Sequence, residues 1–317
     1  MTLFVRETRQ TLRVARGGRA LAWIGPALRG LAGGRLRAHV CRLPVAEQMT
    51  RWRTCAGCPA MSGCAYGETY EPDPPAGVVL APGWENTTRP IVIAPQFPVP
   101  EWLTPGVAFD VSIIAIGRTA AAHVDDVWEA LRIGGADLAI GLGDDRILFD
   151  LEPGGGNADR ELTLPPGPGD EPPVPLVRVD LTSPLFLNET GADDHRRPVL
   201  RPTLAQLLRA TLRTLGPLHR LYADPLPDAV FGAVKAAAAE VPTIRAEFHE
   251  FRQGRFSNRT KDRYEMVGAV GWAEYGPVPA WLVPWLEAGG RVFVGTHRIA
   301  GAGGWTVRPN AQREGER

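Results

Sequence analysis

One order of elements runs twice along this chain, and few folds accommodate it. Residues 3–16 read as a strand. "PALRGLAGGRLRAHV" (26–40) reads as a helix opened by Pro26, with Leu28, Leu31, Leu36 and Val40 as its apolar positions. "RPIVIAPQF" and "AFDVSIIAIG" are β-branched strands. "AAHVDDVWEALRIGG" is an amphipathic helix with Val124, Val127, Trp128 and Leu131 on one face, stopped by Gly134, and "IGLGDDRILFDLE" gives a glycine bend and another strand. After a Pro- and Gly-rich stretch at 152–175 the order returns. "LVRVDLTSPLFL" is a strand, and "TLAQLLRATLRTL" is a helix with Leu204, Leu207, Leu208, Leu212 and Leu215 on one stripe. "AVFGAVKAAAAEV" is a second helix, and "IRAEFHEFRQ" and "YEMVGAVGWAEY" are strands. "PAWLVPWLEAG" is a short helix, and "RVFVG…GGWTVRP" reads as the last strand. Strand, helix, strand, strand, helix, strand is the split βαβ arrangement of ferredoxin-like folds. An α+β protein of tandem ferredoxin-like domains, RRM-like with antiparallel sheets, is therefore expected. Its domains are 1–151 and 176–317, with a linker at 152–175, which suits a chain of 317 residues.

Neutral overall charge hides an uneven distribution. Residues 1–53 carry a net of +9, residues 54–244 a net of −12 and residues 245–317 a net of +3. Only Lys235 and Lys261 are lysines; the remaining cations are arginine, suited to bidentate phosphate contacts and to stacking on bases. GC-rich codon usage would also raise the arginine share, but it does not explain the clustering. No apolar run approaches the ~18 residues of a membrane span. The amino-terminal segment has no apolar signal core, so a cytoplasmic protein with no membrane partner is expected.

All four cysteines fall in "CRLPVAEQMTRWRTCAGCPAMSGC", at Cys41, Cys55, Cys58 and Cys64. Clustered thiols without a secretion signal point to metal or redox chemistry. Four thiolates suit a closed structural zinc site, an iron–sulfur cluster competes, and ordinary small core residues are the plain alternative. Near the other end, "VGTHRIAGAGGWTV" places Gly295, Gly301, Gly303 and Gly304 around His297 and Arg298. Such glycine density lets another backbone approach closely, but neither a Walker ending nor a dinucleotide spacing is present.

These segments, in this order, resemble the CRISPR precursor-RNA processing endoribonucleases of the RAMP superfamily. "GPALRGLAGGRLRAHVC" with "CAGCPAMSGCAYGETYEP" is similar to their opening helix and cysteine-rich segment. "VRVDLTSPLFLNETG" resembles the start of their second domain. "FSNRTKDRYEMVGAVGW" resembles their "Y-S-N-R-Q…M…G…V-G" segment, and the glycine-rich tail resembles their carboxy-terminal loop. The resemblance implies a RAMP-like fold with a Cys-rich insertion at 41–72. It also implies binding of CRISPR repeat RNA and metal-independent cleavage, with a 2′-hydroxyl attacking the scissile phosphate. Retention of the crRNA follows, with other effector-complex subunits as partners and zinc, if held, structural. Where many relatives have a histidine after the helix glycine, this chain has Gly34, and His39 lies five residues further on.

Such cleavage needs proton transfer and positive charge on the phosphorane. His39, flanked by Arg35, Arg37 and Arg42, is the first acid/base candidate, and His297 is the second; Tyr66 and Tyr70 are possible assistants. RNA contacts are expected from Arg29, Arg35, Arg37 and Arg42. "FRQGRFSNRTKDR" adds Arg252, Arg255, Phe256, Asn258, Arg259, Lys261 and Arg263, and the glycine loop adds Gly295, Arg298, Gly301 and Gly303. A crRNA-binding RAMP subunit without activity, and a zinc-bearing scaffold with no RNA role, are the alternative readings.

Overall fold

The computed structural model describes residues 1–50, 54–74, 77–78, 88–137, 142, 145–190, 194–256 and 263–309. The chain divides into two compact units. One is Thr2–Leu162 with Pro217–Pro225; the other is Met1, Thr163–Gly216 and Leu226–Arg317.

In the amino-terminal unit the strands lie in the order Ile91–Pro95, Ala108–Ile116, Thr2–Arg16, Leu148–Pro153, and each neighbour is antiparallel. This is the ferredoxin-like order: the first strand sits between the third and the fourth. Alternation along Thr2–Arg16 puts Leu12 and Val14 on the face that receives the helices Gly25–Val40 and Val124–Gly135. Leu28, Leu31 and Leu36 from the first helix and Val127, Trp128 and Leu131 from the second complete that core with Val111 and Ile113. Inside it the Trp128 indole N–H donates to the Thr8 hydroxyl at 2.8 Å, so the one polar atom of a large buried ring is satisfied.

Strand structure continues into the stretch read as a linker. Ala158–Thr163 also pairs with Thr2–Arg16. A strand of 15 residues is long enough to carry two short partners along one edge, so the Pro and Gly at 152–157 form a bend rather than a boundary.

In the carboxy-terminal unit the order is Thr243–Phe256, Arg263–Tyr275, Val177–Leu181, Trp305–Pro309, again antiparallel with the first strand between the third and fourth. The expected leucine stripe is the buried face of the helix Leu204–Tyr222, where Leu204, Leu207, Leu208, Leu212 and Leu215 are all at most 2% exposed. The helix passes through Pro217 instead of stopping at residue 215, and the apolar spacing continues with the buried Leu218 and Leu221. The last strand is shorter than expected. Arg291 and Val292 end the helix Val283–Val292, and only Trp305–Pro309 is paired. Burial of Val292 and Val294 in the core overrides the strand propensity of the "VFV" run. No helix among the described residues is long and apolar enough to cross a membrane.

Candidate functional site

In the amino-terminal unit the helix Gly25–Val40 sets the candidate residues. Its last turn carries Arg37 and His39, where cations meet the negative end of the helix dipole. His39 is exposed and makes no hydrogen bond among the described residues. It borders a cavity of about 490 Å³ together with Arg37, Arg42 and the four cysteines. Along the same helix, Arg29 lies over the Tyr70 ring at 5.2 Å and Arg37 over Tyr66 at 5.5 Å. The two tyrosines are themselves stacked, 5.4 Å apart and 8° from parallel. Burial pushes the Tyr66 hydroxyl up to about 12 and raises that of Tyr70 as well, so both keep their protons at neutral pH. Arg35 forms an ion pair with Asp137, while Arg42 is exposed.

The cysteine segment is a run of tight turns. The Cys58 amide donates to the Cys55 carbonyl at 2.9 Å, Met61 to Cys58 at 3.1 Å, and Cys64 to Met61 at 3.0 Å. The Gly67 amide donates to the Cys64 sulfur at 3.5 Å. Burial, against an opposing pull from Arg37, pushes the Cys55 thiol up to about 11. The four thiols suit zinc by chemical type, yet among the described residues no three His, Cys, Asp or Glu side chains converge as a metal site. The arrangement present therefore does not fit the tetrahedral set, or the cluster, that the spacing suggests.

His123, the residue before the helix Val124–Gly135, ties this segment to that helix. The His123 Nε2 lies 2.7 Å from Glu68 Oε2, and its Nδ1 lies 3.1 Å from Asp126 Oδ2. Glu68 also accepts the Gly63 amide at 2.7 Å. Asp126 is three residues from His123 in the chain, whereas Glu68 is fifty-five residues away and is brought there only by the fold.

In the carboxy-terminal unit the glycine loop answers to its own chain. A Cβ on Gly295 would meet the Phe186 carbonyl at 2.6 Å, and one on Gly303 would collide with the Val294 carbonyl. The Gly303 amide donates to Pro184 at 2.9 Å, Gly301 to Arg298 at 2.8 Å, and Gly304 to the Ser183 hydroxyl at 2.9 Å. These three amides are thus engaged within the chain, Gly303 and Gly304 with the segment Ser183–Pro184 and Gly301 within the loop. Arg298 is buried to 8% exposure, with its Nε 3.3 Å from the carbonyls of Val292 and Phe293, so it braces the loop from inside. Beside the exposed Thr296, His297 is half-buried. It is held at φ 65° between the glycines and lies edge-on to Phe186 (5.6 Å, 90°) and flat against Tyr264 (6.3 Å, 17°).

Arg252 is paired with Glu250 and with Glu265, the latter at 2.8 Å, which offsets its charge. Arg255, Phe256 and Arg263 fall at the ends of the two long strands, with Arg255 in register with Tyr264 and Phe256 with Arg263. Asn258, Arg259 and Lys261 lie outside the described residues. Elsewhere on the same sheet Arg178 covers the Trp272 ring at 3.9 Å while pairing with Asp180 at 2.9 Å, a charge-balanced surface the sequence did not reveal.

Two consecutive ferredoxin-like modules define the fold class of this protein. Its fold is Cas6-like. The Cas6 (TTHB231) product complex aligns over 97% of this chain and 100% of that chain, with a TM-score of 0.55 at 13% identity. Thermus thermophilus Cas6 (TTHB231) aligns over 96% and 99%, with a TM-score of 0.52 at 11% identity. A partial Cas6-RT-Cas1–Cas2 complex aligns over 99% of this chain but only 47% of that one, with a TM-score of 0.54 at 12% identity. The family model AF_1859_N, an N-terminal domain, matches residues 3–156. Comparison with curated proteins gives no match.

Proposed function

We propose that this protein binds CRISPR repeat RNA and cleaves the precursor transcript by metal-independent attack of a 2′-hydroxyl on the adjacent phosphate. The products are a 2′,3′-cyclic phosphate and a free 5′-hydroxyl. The crRNA is retained for delivery to other subunits of an effector complex in the cytoplasm. The observation that carries this reading is an exposed histidine, His39, at the end of an arginine-bearing helix in a fold that matches a Cas6 product complex along its whole length.

His39 is the proton-transfer group of this reading. Its exposed place on the cavity rim suits it to protonate the departing 5′-oxygen. Arg42, exposed beside it on the cavity rim, supplies positive charge where the phosphorane forms. His297 is the second candidate, and its imidazole is supported by two aromatic rings.

The test is incubation of the protein, in chelator, with an end-labelled RNA carrying the repeat encoded beside its own gene. Wild type is expected to release a fragment ending in cyclic phosphate. His39→Ala is expected to lower the rate by about 10²–10⁴-fold while binding persists. Cleavage unchanged by His39→Ala would remove that residue from the mechanism. Tight binding by wild type with no cleavage would establish the second reading, a crRNA-holding RAMP subunit. The absence of any hydrogen-bonded group orienting His39 among the described residues favours that reading.

A further inference from the structure

A column of aromatic rings runs from the core of the carboxy-terminal unit to its surface. It begins at Phe251, 8% exposed, which meets Phe186 edge-on at 6.1 Å. Phe186, 3% exposed, meets the His297 ring edge-on at 5.6 Å, and His297 lies flat against Tyr264 at 6.3 Å. Tyr264 ends the column and is 38% exposed. The supports beneath it are fixed. The Thr296 amide and hydroxyl both donate to the Phe186 carbonyl at 3.0 Å, and the Ala300 amide donates to His297 at 2.9 Å, so the loop holds the imidazole in place.

Most aromatic rings this large are buried or covered. Here the burial stops one ring short, at Tyr264, the second residue of the strand Arg263–Tyr275, next to a sequence that from 252 to 263 holds five cations and one acid. An immobilised ring costs a stacking partner little additional ordering, and every nucleobase offers a flat π-face to it. Arginine, abundant in the adjoining sequence 252–263, is chemically suited to the phosphates flanking such a base. On the same sheet Trp272 is a competing platform, but its face is already taken by Arg178.

We propose that Tyr264 is a stacking platform for one unpaired nucleobase of the bound RNA, extending the Phe251–Phe186–His297 column outward by one ring. This proposal rests on the RNA-binding reading above and adds to it a subsite that distinguishes base stacking from phosphate contact.

The experiment uses the full chain and repeat RNAs in which 2-aminopurine replaces one unpaired base at a time. Binding is followed by 2-aminopurine fluorescence and by filter retention, over a series of salt concentrations. At one position wild type is expected to quench the probe through stacking. Tyr264→Phe and Tyr264→Trp are expected to keep both quenching and affinity. Tyr264→Leu, which keeps apolar volume without a π-face, is expected to lose the quenching and about 5- to 100-fold in affinity, with an unchanged salt slope. Retained quenching and affinity in Tyr264→Leu overturn the proposal while leaving RNA binding intact. A loss in Tyr264→Phe equal to that in Tyr264→Leu also overturns it, because the hydroxyl and not the ring would then be responsible. Failure of wild type to bind any repeat RNA overturns this proposal and the functional reading together.

Discussion

His219 shows what one buried side chain does to the behaviour of the fold. It is 0% exposed, its Nδ1 lies 3.0 Å from the Asp224 carbonyl, and burial pushes its pKa below the usual 6.5. The folded protein therefore holds it neutral, while the unfolded chain takes up a proton near pH ~6.5. Stability from this site is present above that pH and is lost as pH falls toward the depressed folded value. Thermal melts at pH 7.5 and 5.5 are expected to show a drop in Tm that is smaller in His219→Leu. An identical drop in both proteins would exclude His219 as its source. The sequence marks this histidine only as one of six. Its neutrality comes from burial, which no local pattern records.

Elements were read well where they follow a period and poorly where they follow a neighbour. The leucine stripe of Leu204–Tyr222 and the alternation of Thr2–Arg16 are periodic, and both were legible. The glycine-rich segment was visible as a loop, but its partner was not. Gly303 has a φ of 76° and a Cβ there would strike the Val294 carbonyl, whereas Gly34 on the helix Gly25–Val40 has open space around it. Gly303→Ala is expected to destabilise by about 2–5 kcal/mol, through a left-handed backbone carrying a side chain and a clash with main chain. Gly34→Ala is expected to stabilise by about 0.5–1 kcal/mol. Chemical denaturation of both variants checks the pair, and a neutral Gly303→Ala would mean that the loop is not packed as described. The cysteine segment was legible as a cluster, and its four thiols do share one cavity. Whether thiols converge depends on the turns at Cys55–Cys64 and on the His123–Glu68 link, which spacing does not specify.

At the scale of the whole molecule, the uneven charge is the property that acts on a polyanion. The sequence from 252 to 263, which spans the end of the strand Thr243–Phe256 and the start of Arg263–Tyr275, holds Arg252, Arg255, Arg259, Lys261 and Arg263 against Asp262 alone. Charge reversal by Arg255→Glu with Arg259→Glu is expected to weaken repeat-RNA binding and to lower the slope of log K against log salt by about 0.7 per phosphate contact removed. An unaltered slope would place the phosphate contacts elsewhere. By itself the sequence determined the order of elements, and with it the tandem ferredoxin-like plan, because side-chain periodicity is a local consequence of strand and helix geometry. It also determined where cations and thiols cluster. Only the tertiary structure decided which of these groups remain available. Arg35 and Arg252 are matched by carboxylates, Arg298 is turned inward, the Gly301, Gly303 and Gly304 amides are engaged, and His39, Arg42 and Tyr264 stay exposed. Those outcomes depend on partners brought together from distant parts of the chain, and such partners are set by packing rather than by any pattern within a segment.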